Sequence, residues 1–387
     1  MPSRKSLDIP PFLVMDVLER AQAMERAGRR VIHLEVGEPD FATPECIRRA
    51  AVEALGGGQT HYTHSLGKLT LREAVARHYR EKYGAAVKPE NVIVSSGTSP
   101  IMLLVFAALC DPGDEVILSD PHYACYPNFV RFVDGVPVKV PVREEDGFAY
   151  RPEEVRARIT PRTRAILVNS PANPTGCLLS AETMRALAGL GVPIVSDEIY
   201  HGLAYEGRER SILEFTENAV VINGFSKLYA MTGWRLGYAI LPDDLVRPIQ
   251  KMQQNFFISA SDFVQSAGVQ ALLGCADEIE AMRREYKRRR DYAVRRVREI
   301  GLSLAVEPTG AFYVFANAKK FAARLGGSSY ALAMDILDQA AVAVAPGIDF
   351  GQGGEGYLRI SYTNSLANIE EGLGRLEGYL RALSPPC

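Results

Sequence analysis

The chain has 387 residues, of which 47% are hydrophobic and 23% charged, and its 44 basic and 46 acidic residues give a formal net charge of −2. This composition excludes a disordered chain, a collagen-like repeat and a miniprotein held together by disulfides. The length predicts two or three domains with cores of their own, and the near-neutral charge gives no reason to expect nucleic acid or an acidic membrane as a partner.

The cysteines and the apolar runs indicate the compartment. The six cysteines are far apart and form no C-x-x-C pair: Cys46, Cys110, Cys125, Cys177, Cys275 and Cys387. This spacing is not that of a zinc site and predicts reduced thiols in a cytoplasmic protein. The apolar run at 12–15 is too short for a signal-peptide core, and the run at 101–110 falls well short of the roughly 20 residues of a membrane helix.

From about residue 90 to 241, short β-rich segments alternate with helical ones. The predicted strands cover 92–95, 115–119, 136–140, 165–169, 193–196, 220–224 and 236–241. The predicted helices between them include 100–110, 124–133 and 181–190. Because several strands are continuously apolar, the pattern is typical of an α/β domain whose mostly parallel sheet is covered on both faces. Ligands of such sheets bind at the carboxyl ends of the strands, so chemistry is expected in the residues that follow them.

The pattern changes after residue 245. Long helical segments are predicted from about 262 to 300. They are followed by a strand at 311–315, a helix at 329–339, a strand at 342–345, a Gly-rich turn, a strand at 357–361 and a helix at 367–383. This α+β segment predicts a second, smaller domain, and we expect the first 45 residues to pack on it or on a partner subunit.

Two loops follow predicted strands. In S-S-G-T-S-P at 95–100, Gly97 turns the chain, Thr98 or Ser99 can cap the next helix, and Pro100 suits its first turn. Free N–H groups and the helix dipole would make this a phosphate site, with an ordinary helix start as the alternative. In N-S-P-A-N-P-T-G at 169–176, Asn173 could present a fixed amide to a ligand or belong to a plain turn.

Two more strands end in ionisable residues. The segment V-S-D-E-I-Y at 195–200 delivers Asp197 at the end of a strand, with Tyr200 just beyond, although Asp197 alone could cap a helix. The segment G-F-S-K at 224–227 places Lys227 at the mouth of the sheet, and Arg235 follows eight residues later. A buried lysine lowers its pKa and becomes a nucleophile, whereas a solvated surface residue is the alternative for Lys227 taken alone.

Together these groups predict a site for pyridoxal 5′-phosphate. A phosphate cradle, a nucleophilic lysine, a strand-end carboxylate and a tyrosine are the groups that this cofactor requires. The lysine forms a Schiff base, and the carboxylate keeps the pyridine nitrogen protonated so that the ring accepts electrons.

The ordered set N-P-T-G, D-E-x-Y, S-K-x(7)-R and L-R-I-S resembles the fold-type I aminotransferases of class I/II, the aspartate aminotransferase superfamily. The resemblance extends from E-V-G-E-P-D-F at 35–41 to Y-L-R-I-S at 357–361. It implies the fold of the PLP-dependent transferases of type I, with a mostly parallel seven-stranded α/β sheet and a smaller α+β domain. It also implies transamination, in which the α-amino group of an amino acid passes to a 2-oxo acid, expected to be 2-oxoglutarate.

The resemblance implies a role for each matching residue. Lys227 would carry the cofactor and move the proton between the substrate Cα and the cofactor, Asp197 would bind the ring nitrogen, and Tyr200 and Asn173 would bind the phenolic oxygen. The phosphate would be bound by Gly97, Thr98, Ser226 and Arg235.

Four further residues complete the resemblance. Tyr62 is similar to the tyrosine that reaches the phosphate of the neighbouring subunit, and Tyr123 takes the place of the aromatic residue that stacks on the ring. Arg359 corresponds to the clamp for the substrate α-carboxylate, and Gly37 lines the substrate pocket. The implied assembly is a homodimer with shared active sites, and the implied domains are 46–280 for the cofactor and 1–45 plus 281–387 for the smaller domain.

The amino donor stays open. Some aspartate-type relatives carry a lysine just after the phosphate-site glycine, where this chain has Thr98 and Ser99, and we find no second substrate arginine. An aspartate, an aromatic or a neutral amino acid could therefore be the donor. A PLP-dependent C–S lyase or related eliminase on the same scaffold is the alternative activity.

Other readings are less well supported. The pair His61 and His64 lacks a third ligand nearby, so no metal is expected. The basic stretch 283–298 is interrupted by acidic residues and predicts a solvated helix face, and the glycines of 351–356 predict a mobile turn. A transcription regulator would need an added N-terminal DNA-binding domain, and a nicotinamide oxidoreductase would need a strand–GxGxxG–helix unit that does not occur.

Overall fold

A computed structural model of the chain describes residues 1–383, so Cys387 lies outside the described residues. This part of the chain holds twelve strands. They are β1 (Ile32–His33), β2 (Val92–Ser95), β3 (Glu115–Asp120), β4 (Val136–Pro141), β5 (Thr163–Asn169), β6 (Ile194–Asp197), β7 (Ala219–Gly224), β8 (Gly237–Ile240), β9 (Tyr313–Asn317), β10 (Val342–Ala343), β11 (Ala345–Pro346) and β12 (Tyr357–Ser361).

The same part of the chain holds fourteen α-helices. They are α1 (Arg4–Asp8), α2 (Leu13–Arg26), α3 (Glu45–Gly56), α4 (Leu69–Tyr83), α5 (Thr98–Leu109), α6 (Tyr126–Phe132), α7 (Pro152–Arg156), α8 (Ala181–Ala188), α9 (Asp243–Phe256), α10 (Asp262–Leu273), α11 (Ala276–Glu299), α12 (Lys319–Ala322), α13 (Ser329–Ala340) and α14 (Leu366–Leu383). None of these described helices is both long and apolar enough to cross a membrane.

The centre of the molecule is a seven-stranded sheet in the order β2-β8-β7-β6-β5-β3-β4. Strand β8 runs antiparallel to both of its neighbours, and all other pairs are parallel. All seven strands predicted between residues 90 and 241 are present, with ends shifted by at most two residues. The expected mostly parallel α/β fold is thereby confirmed.

Most strands of the central sheet are buried on both faces because their side chains alternate between two cores, whereas the edge strand β4 is partly exposed. On β2, Val92 and Val94 join the core under α4 and α10, whereas Ile93 joins the core under α5 and α9. This double burial explains the continuously apolar strand sequences.

The second sheet lies in the C-terminal part of the chain. Strand β12 pairs antiparallel with both β9 and β11, and β10 pairs with β1 from the N-terminal segment. The strand expected at 342–345 is therefore two short strands with different partners. The strand expected at 311–315 begins only at Tyr313, because Ala311 has a positive φ of 55° that interrupts extended backbone. Helix α11 runs without a break across residue 280, where a domain boundary was expected.

The prediction of reduced thiols is wrong for two cysteines. Cys46 at the start of α3 and Cys275 just before α11 form a disulfide across 229 residues of sequence. Helices α3 and α10 pack side by side, and this brings together two cysteines whose spacing gave no sign of pairing. Cys110, Cys125 and Cys177 are free thiols.

The basic stretch on α11 is only partly the solvated face that was predicted. Arg289 is buried, bonds Asp40, and lies with its guanidinium 4.8 Å from the ring centre of Phe41. Arg290 is also buried and donates to the carbonyl of Pro308. These two arginines fasten α11 to neighbouring loops, because the helix packs on both sides at this point.

Candidate active site

The loops after β2, β5, β6 and β7 meet at one edge of the central sheet and surround a cavity of about 230 Å³ that opens to solvent. The smaller sheet and the start of α2 close its other side. Eight of the residues predicted for the site line this cavity: Gly37, Thr98, Tyr123, Asn173, Asp197, Tyr200, Lys227 and Arg359. Residues more than 300 positions apart in sequence are thus brought to one place.

Lys227 lies in the loop that follows β7, and its Nζ donates to the carbonyl of Gly37 at 2.7 Å. Burial lowers the pKa of Lys227 from its usual 10.5 to about 8, and the positive charge of Arg359 adds to this effect. The cost of keeping a cation in a low-dielectric cavity favours the neutral amine. Near pH 8 the side chain can therefore act as a nucleophile or accept a proton.

Asp197 is the last residue of β6 and is buried. The hydroxyl of Tyr126 donates to its Oδ2 at 2.6 Å, and the backbone N–H of Ile199 donates to its Oδ1 at 3.1 Å. Burial raises the pKa of Asp197 to about 6, while these two hydrogen bonds oppose the rise. A cation placed against this carboxylate from the cavity would find an ionised partner at neutral pH.

Glycine is required at two positions of the segment expected to bind phosphate, because an added side chain would fill the space beside Arg235 and the start of α5. Gly97 has φ +100°, and a Cβ there would lie 2.5 Å from Nη2 of Arg235. A Cβ on Gly237 would lie 2.8 Å from the backbone nitrogen of Thr98. Helix α5 begins at Thr98 without a side-chain cap, so its first-turn N–H groups can accept an anion as partner, and the Arg235 guanidinium lies beside Gly97 at this helix start. Ser226 directly precedes Lys227 in the loop after β7.

Arg359 lies on β12 and is only 3% exposed. Its Nη1 donates to Oδ1 of Asn173 at 2.9 Å, and its Nη2 donates to the carbonyl of Glu35. The Nε of Arg359 has no hydrogen-bond partner among residues 1–383. A buried guanidinium with an unused donor that faces a cavity is suited to a carboxylate ligand.

Tyr313 is a residue of the site that the sequence did not indicate. Its hydroxyl lies 2.8 Å from the hydroxyl of Tyr200, and its ring centre lies 4.3 Å from Cζ of Arg359. A Cβ on Gly37 would lie 1.9 Å from the Tyr313 hydroxyl, so glycine is required there by close approach. Tyr313 therefore fixes both the phenol and the guanidinium that face the cavity.

Two other residues of the site were not assigned a role from the sequence. The hydroxyl of Tyr126 donates to the carboxylate of Asp197. Asn169 makes two hydrogen bonds: its Oδ1 accepts from the backbone N–H of Asn173 at 2.8 Å, and its Nδ2 donates to the carbonyl of Asp197. Asn169 could have been found, because it is a polar residue at the end of a buried strand. Tyr126 lies within a helix, where no local pattern distinguishes it from a core residue.

Four predicted site residues do not line the cavity, namely Gly97, Ser226, Arg235 and Tyr62, and of these Tyr62 lies on the surface away from the phosphate segment. Its side chain is 81% exposed on the surface of the chain. Tyr123, in contrast, faces the cavity and makes an edge-to-face contact with Phe12, the two ring centres lying 6.3 Å apart.

The candidate metal pair at His61 and His64 gains no further ligand. Within residues 1–383, no group of three or more His, Cys, Asp and Glu side chains forms a cluster that could hold a metal ion. The turn expected at 351–356 contains regular local structure. A 3₁₀ helix, Gln352–Gly354, packs here, and the N–H of Gly353 donates to Oδ1 of Asp120 at 2.9 Å.

Comparison with known proteins agrees with this geometry. A family model described as Aminotransferase class I and II matches residues 29–376. The chain is 42% identical to a (5-formylfuran-3-yl)methyl phosphate transaminase of Methanocaldococcus jannaschii, over 98% of this chain and 100% of that protein. It is 38% identical to an aspartate aminotransferase of Pyrococcus horikoshii, over 94% of this chain and 93% of that protein.

A solved structure shows the same likeness. The aspartate aminotransferase from Thermus thermophilus with maleate superposes with a TM-score of 0.93 at 38% identity, covering 98% of this chain and 99% of that chain. The chain belongs to the class I and II aminotransferases.

Proposed function

We propose that this protein is a pyridoxal 5′-phosphate-dependent transaminase that moves the α-amino group of an amino acid to a 2-oxo acid. One observation carries the proposal: Lys227, with its lowered pKa, shares a buried cavity with the Asp197 carboxylate and the Arg359 guanidinium. A nucleophilic amine, an anion for a ring nitrogen and a cation for a carboxylate are the three groups that amino-group transfer requires. The donor is an aspartate, an aromatic or a neutral amino acid, and 2-oxoglutarate is the first acceptor to test.

The residues of the cavity fit this cofactor. The absence of side chains at Gly97 and Gly237 keeps a space open beside Arg235 and the start of α5. A phosphate would occupy this space, and Thr98 and Ser226 would contribute to its binding. Asp197 would bind the pyridine nitrogen, Tyr200 and Asn173 would bind the phenolic oxygen, and Tyr123 would stack on the ring. When bound, the cofactor supplies an electron sink for the bond that breaks at the substrate Cα.

The protein groups then hold the substrate and move its proton. Arg359 binds the substrate α-carboxylate, and this binding directs the Cα–H bond toward Lys227. Because its pKa is about 8, Lys227 is partly neutral at physiological pH and can accept the Cα proton and return it elsewhere. Tyr313 keeps Arg359 and Tyr200 in place through its ring and its hydroxyl.

We further propose a homodimer in which Tyr62 serves the phosphate site of the neighbouring subunit. The exposed ring of Tyr62 supports this role, since it has no contact with its own cavity. We also propose the division into a cofactor domain at 46–280 and a smaller domain at 1–45 plus 281–387. A cytoplasmic location belongs to the same proposal, and the Cys46–Cys275 disulfide would then be of the kind found in intracellular proteins of hyperthermophiles.

The proposal is tested with the purified holoenzyme and single amino acids. We expect at least one donor to convert the absorbance of the bound cofactor to that of its pyridoxamine form, and a 2-oxo acid to reverse the change. Lys227→Ala should abolish turnover, whereas the control Lys251→Ala, on the exposed face of α9, should not. Failure of every amino acid to convert the wild-type cofactor would contradict the proposal. Release of pyruvate and ammonia from a cysteine conjugate without any acceptor would favour the C–S lyase.

A further inference from the structure

Helix α2 begins at the cavity without a cap of its own. Phe12 occupies the position before its first turn and makes no side-chain hydrogen bond to the helix. Phenylalanine is a poor residue there, because the first N–H groups of a helix need an acceptor. Phe12, Val14 and Met15 instead line the cavity, so this start of α2 is a wall of the site.

Asp349, from the other end of the chain, supplies the missing cap. Its Oδ1 accepts from the N–H of Leu13 at 2.9 Å, and its Oδ2 accepts from the N–H of Val14 at 3.1 Å. A carboxylate at the positive end of the helix dipole is favourable. The orientation of the wall therefore depends on a residue that lies outside it.

The 3₁₀ helix that carries Asp349, Gly347–Phe350, also contacts the rest of the site. The ring centre of Phe350 lies 4.7 Å from Cζ of Arg359, and the carbonyl of Phe350 accepts from the N–H of His122 at 2.9 Å. Asp349 thus links the wall to the group that would bind the α-carboxylate and to the loop that carries Tyr123.

The wall is apolar, and other apolar residues line the same cavity. Met102, Phe129 and Ile199 line it together with Phe12, Val14 and Met15. Among the described residues, the charged side chains that line the cavity are Asp197, Lys227 and Arg359, all of which the proposed function already uses. The apolar part of the lining matches a large apolar side chain, which gains free energy by leaving water.

We propose that Asp349 is a positioning residue that sets donor specificity, because it holds the Phe12–Val14–Met15 wall against the side chain of an aromatic or large aliphatic amino acid. This inference rests on the proposed aminotransferase function. It adds to that function a substrate class and the residue on which recognition of that class depends.

The experiment compares wild-type holoenzyme with Asp349→Ala and Asp349→Asn, using phenylalanine, leucine, alanine and aspartate as donors and 2-oxoglutarate as acceptor. Asp349→Ala should raise KM for phenylalanine and leucine about tenfold, as expected for loss of a helix cap, and change kcat less than twofold. KM for alanine and 2-oxoglutarate should change less than twofold, because neither carries an apolar group to the wall. Asp349→Asn should keep KM close to that of the wild type, since asparagine caps helices as well as aspartate does.

Two further variants separate the wall from general damage to α2. Asp338→Ala removes the exposed ion pair to Arg20 on the same helix and should leave every KM unchanged. Phe12→Ala removes part of the wall and leaves Asp349 in place, and it should raise KM for phenylalanine without affecting alanine.

The outcomes are distinguishable. Two results would overturn the inference but leave the proposed transamination intact. One is a wild-type enzyme that prefers aspartate to phenylalanine and leucine. The other is an Asp349→Ala variant whose KM rises equally for alanine and phenylalanine. An Asp349→Asn variant as impaired as Asp349→Ala would overturn the capping argument. A wild-type enzyme that accepts no amino acid would instead contradict the proposed function itself.

Discussion

The hydrogen bond from Tyr126 to Asp197 gives a quantitative test of the site. Both residues are buried, and the 2.6 Å distance between the hydroxyl and Oδ2 is that of a charge-assisted bond. Such bonds contribute about 1.5–3 kcal/mol, and one pKa unit corresponds to 1.36 kcal/mol. Tyr126→Phe should therefore raise the pKa of Asp197 by about 1–2 units above its value of about 6.

The consequence depends on pH in a definite direction. Only the ionised carboxylate can pair with a protonated pyridine nitrogen, and the variant carboxylate ionises at higher pH. With a rise of about 1.5 units, the ionised fraction at pH 6.5 falls roughly eightfold, whereas at pH 8.5 it falls by only about a tenth. The ratio of cofactor Kd between variant and wild type should thus be large at pH 6.5 and near one at pH 8.5.

The assay titrates cofactor-free protein with pyridoxal 5′-phosphate at both pH values. Taking the ratio of Kd cancels the ionisation of the free cofactor, which affects both proteins equally. Tyr150→Phe is the control, since it removes a buried hydroxyl that donates to the uncharged carbonyl of Leu167. A Kd ratio for Tyr126→Phe that is the same at pH 6.5 and 8.5 would refute the claim that Tyr126 acts through the ionisation of Asp197.

Three further predictions follow from the same geometry. Gly37→Ala should lower kcat/KM about 10–100-fold, because its Cβ must displace the Tyr313 hydroxyl, and the double variant with Tyr313→Ala should recover part of the loss in steady-state kinetics. The rate at which cofactor-free protein reacts with pyridoxal 5′-phosphate should rise with pH and reach half its maximum near pH 8, where Lys227 loses its proton; a midpoint near 10.5 would show an unperturbed lysine. Cys275→Ser should lower the free energy of unfolding by about 2–4 kcal/mol, because it removes the Cys46–Cys275 disulfide. If a reductant leaves the unfolding midpoint of the wild type unchanged, that result would argue against the disulfide.

The central sheet could be predicted because each strand is short, apolar and followed by turn residues. In β2, successive side chains point alternately into two apolar cores, so the segment is apolar throughout and its sequence alone indicated a strand. The disulfide could not be predicted, because the proximity of Cys46 and Cys275 depends on how α3 packs beside α10. The burial of Arg289 and Arg290 was missed for a related reason: a basic helix face is usually solvated, and only the loops of Asp40 and Pro308 cover this one.

The same contrast divides the candidate site into two halves. Asp197, Asn173 and Lys227 follow buried strands, and the rule that ligands bind at the carboxyl ends of parallel strands was sufficient to bring them together. Tyr126 reaches Asp197 from a helix 71 residues earlier, and Tyr313 approaches from the smaller sheet, so the position of each hydroxyl depends on packing rather than on a local motif.

This division has a functional consequence. The proposed function assigns the strand-end groups Asp197, Asn173 and Lys227 to the cofactor, whereas the Phe12–Val14–Met15 wall, which the sequence did not reveal, is assigned to the substrate side chain. Asp349, on the 3₁₀ helix Gly347–Phe350, caps the helix that carries this wall, so the wall depends on a contact between the two ends of the chain. The relatives at 42% and 38% identity are named for a furan phosphate and for aspartate, so similarity over nearly the whole chain goes with different named substrates. Substrate choice in such a fold is expected to vary with the packing of the chain ends, where sequence motifs are least informative.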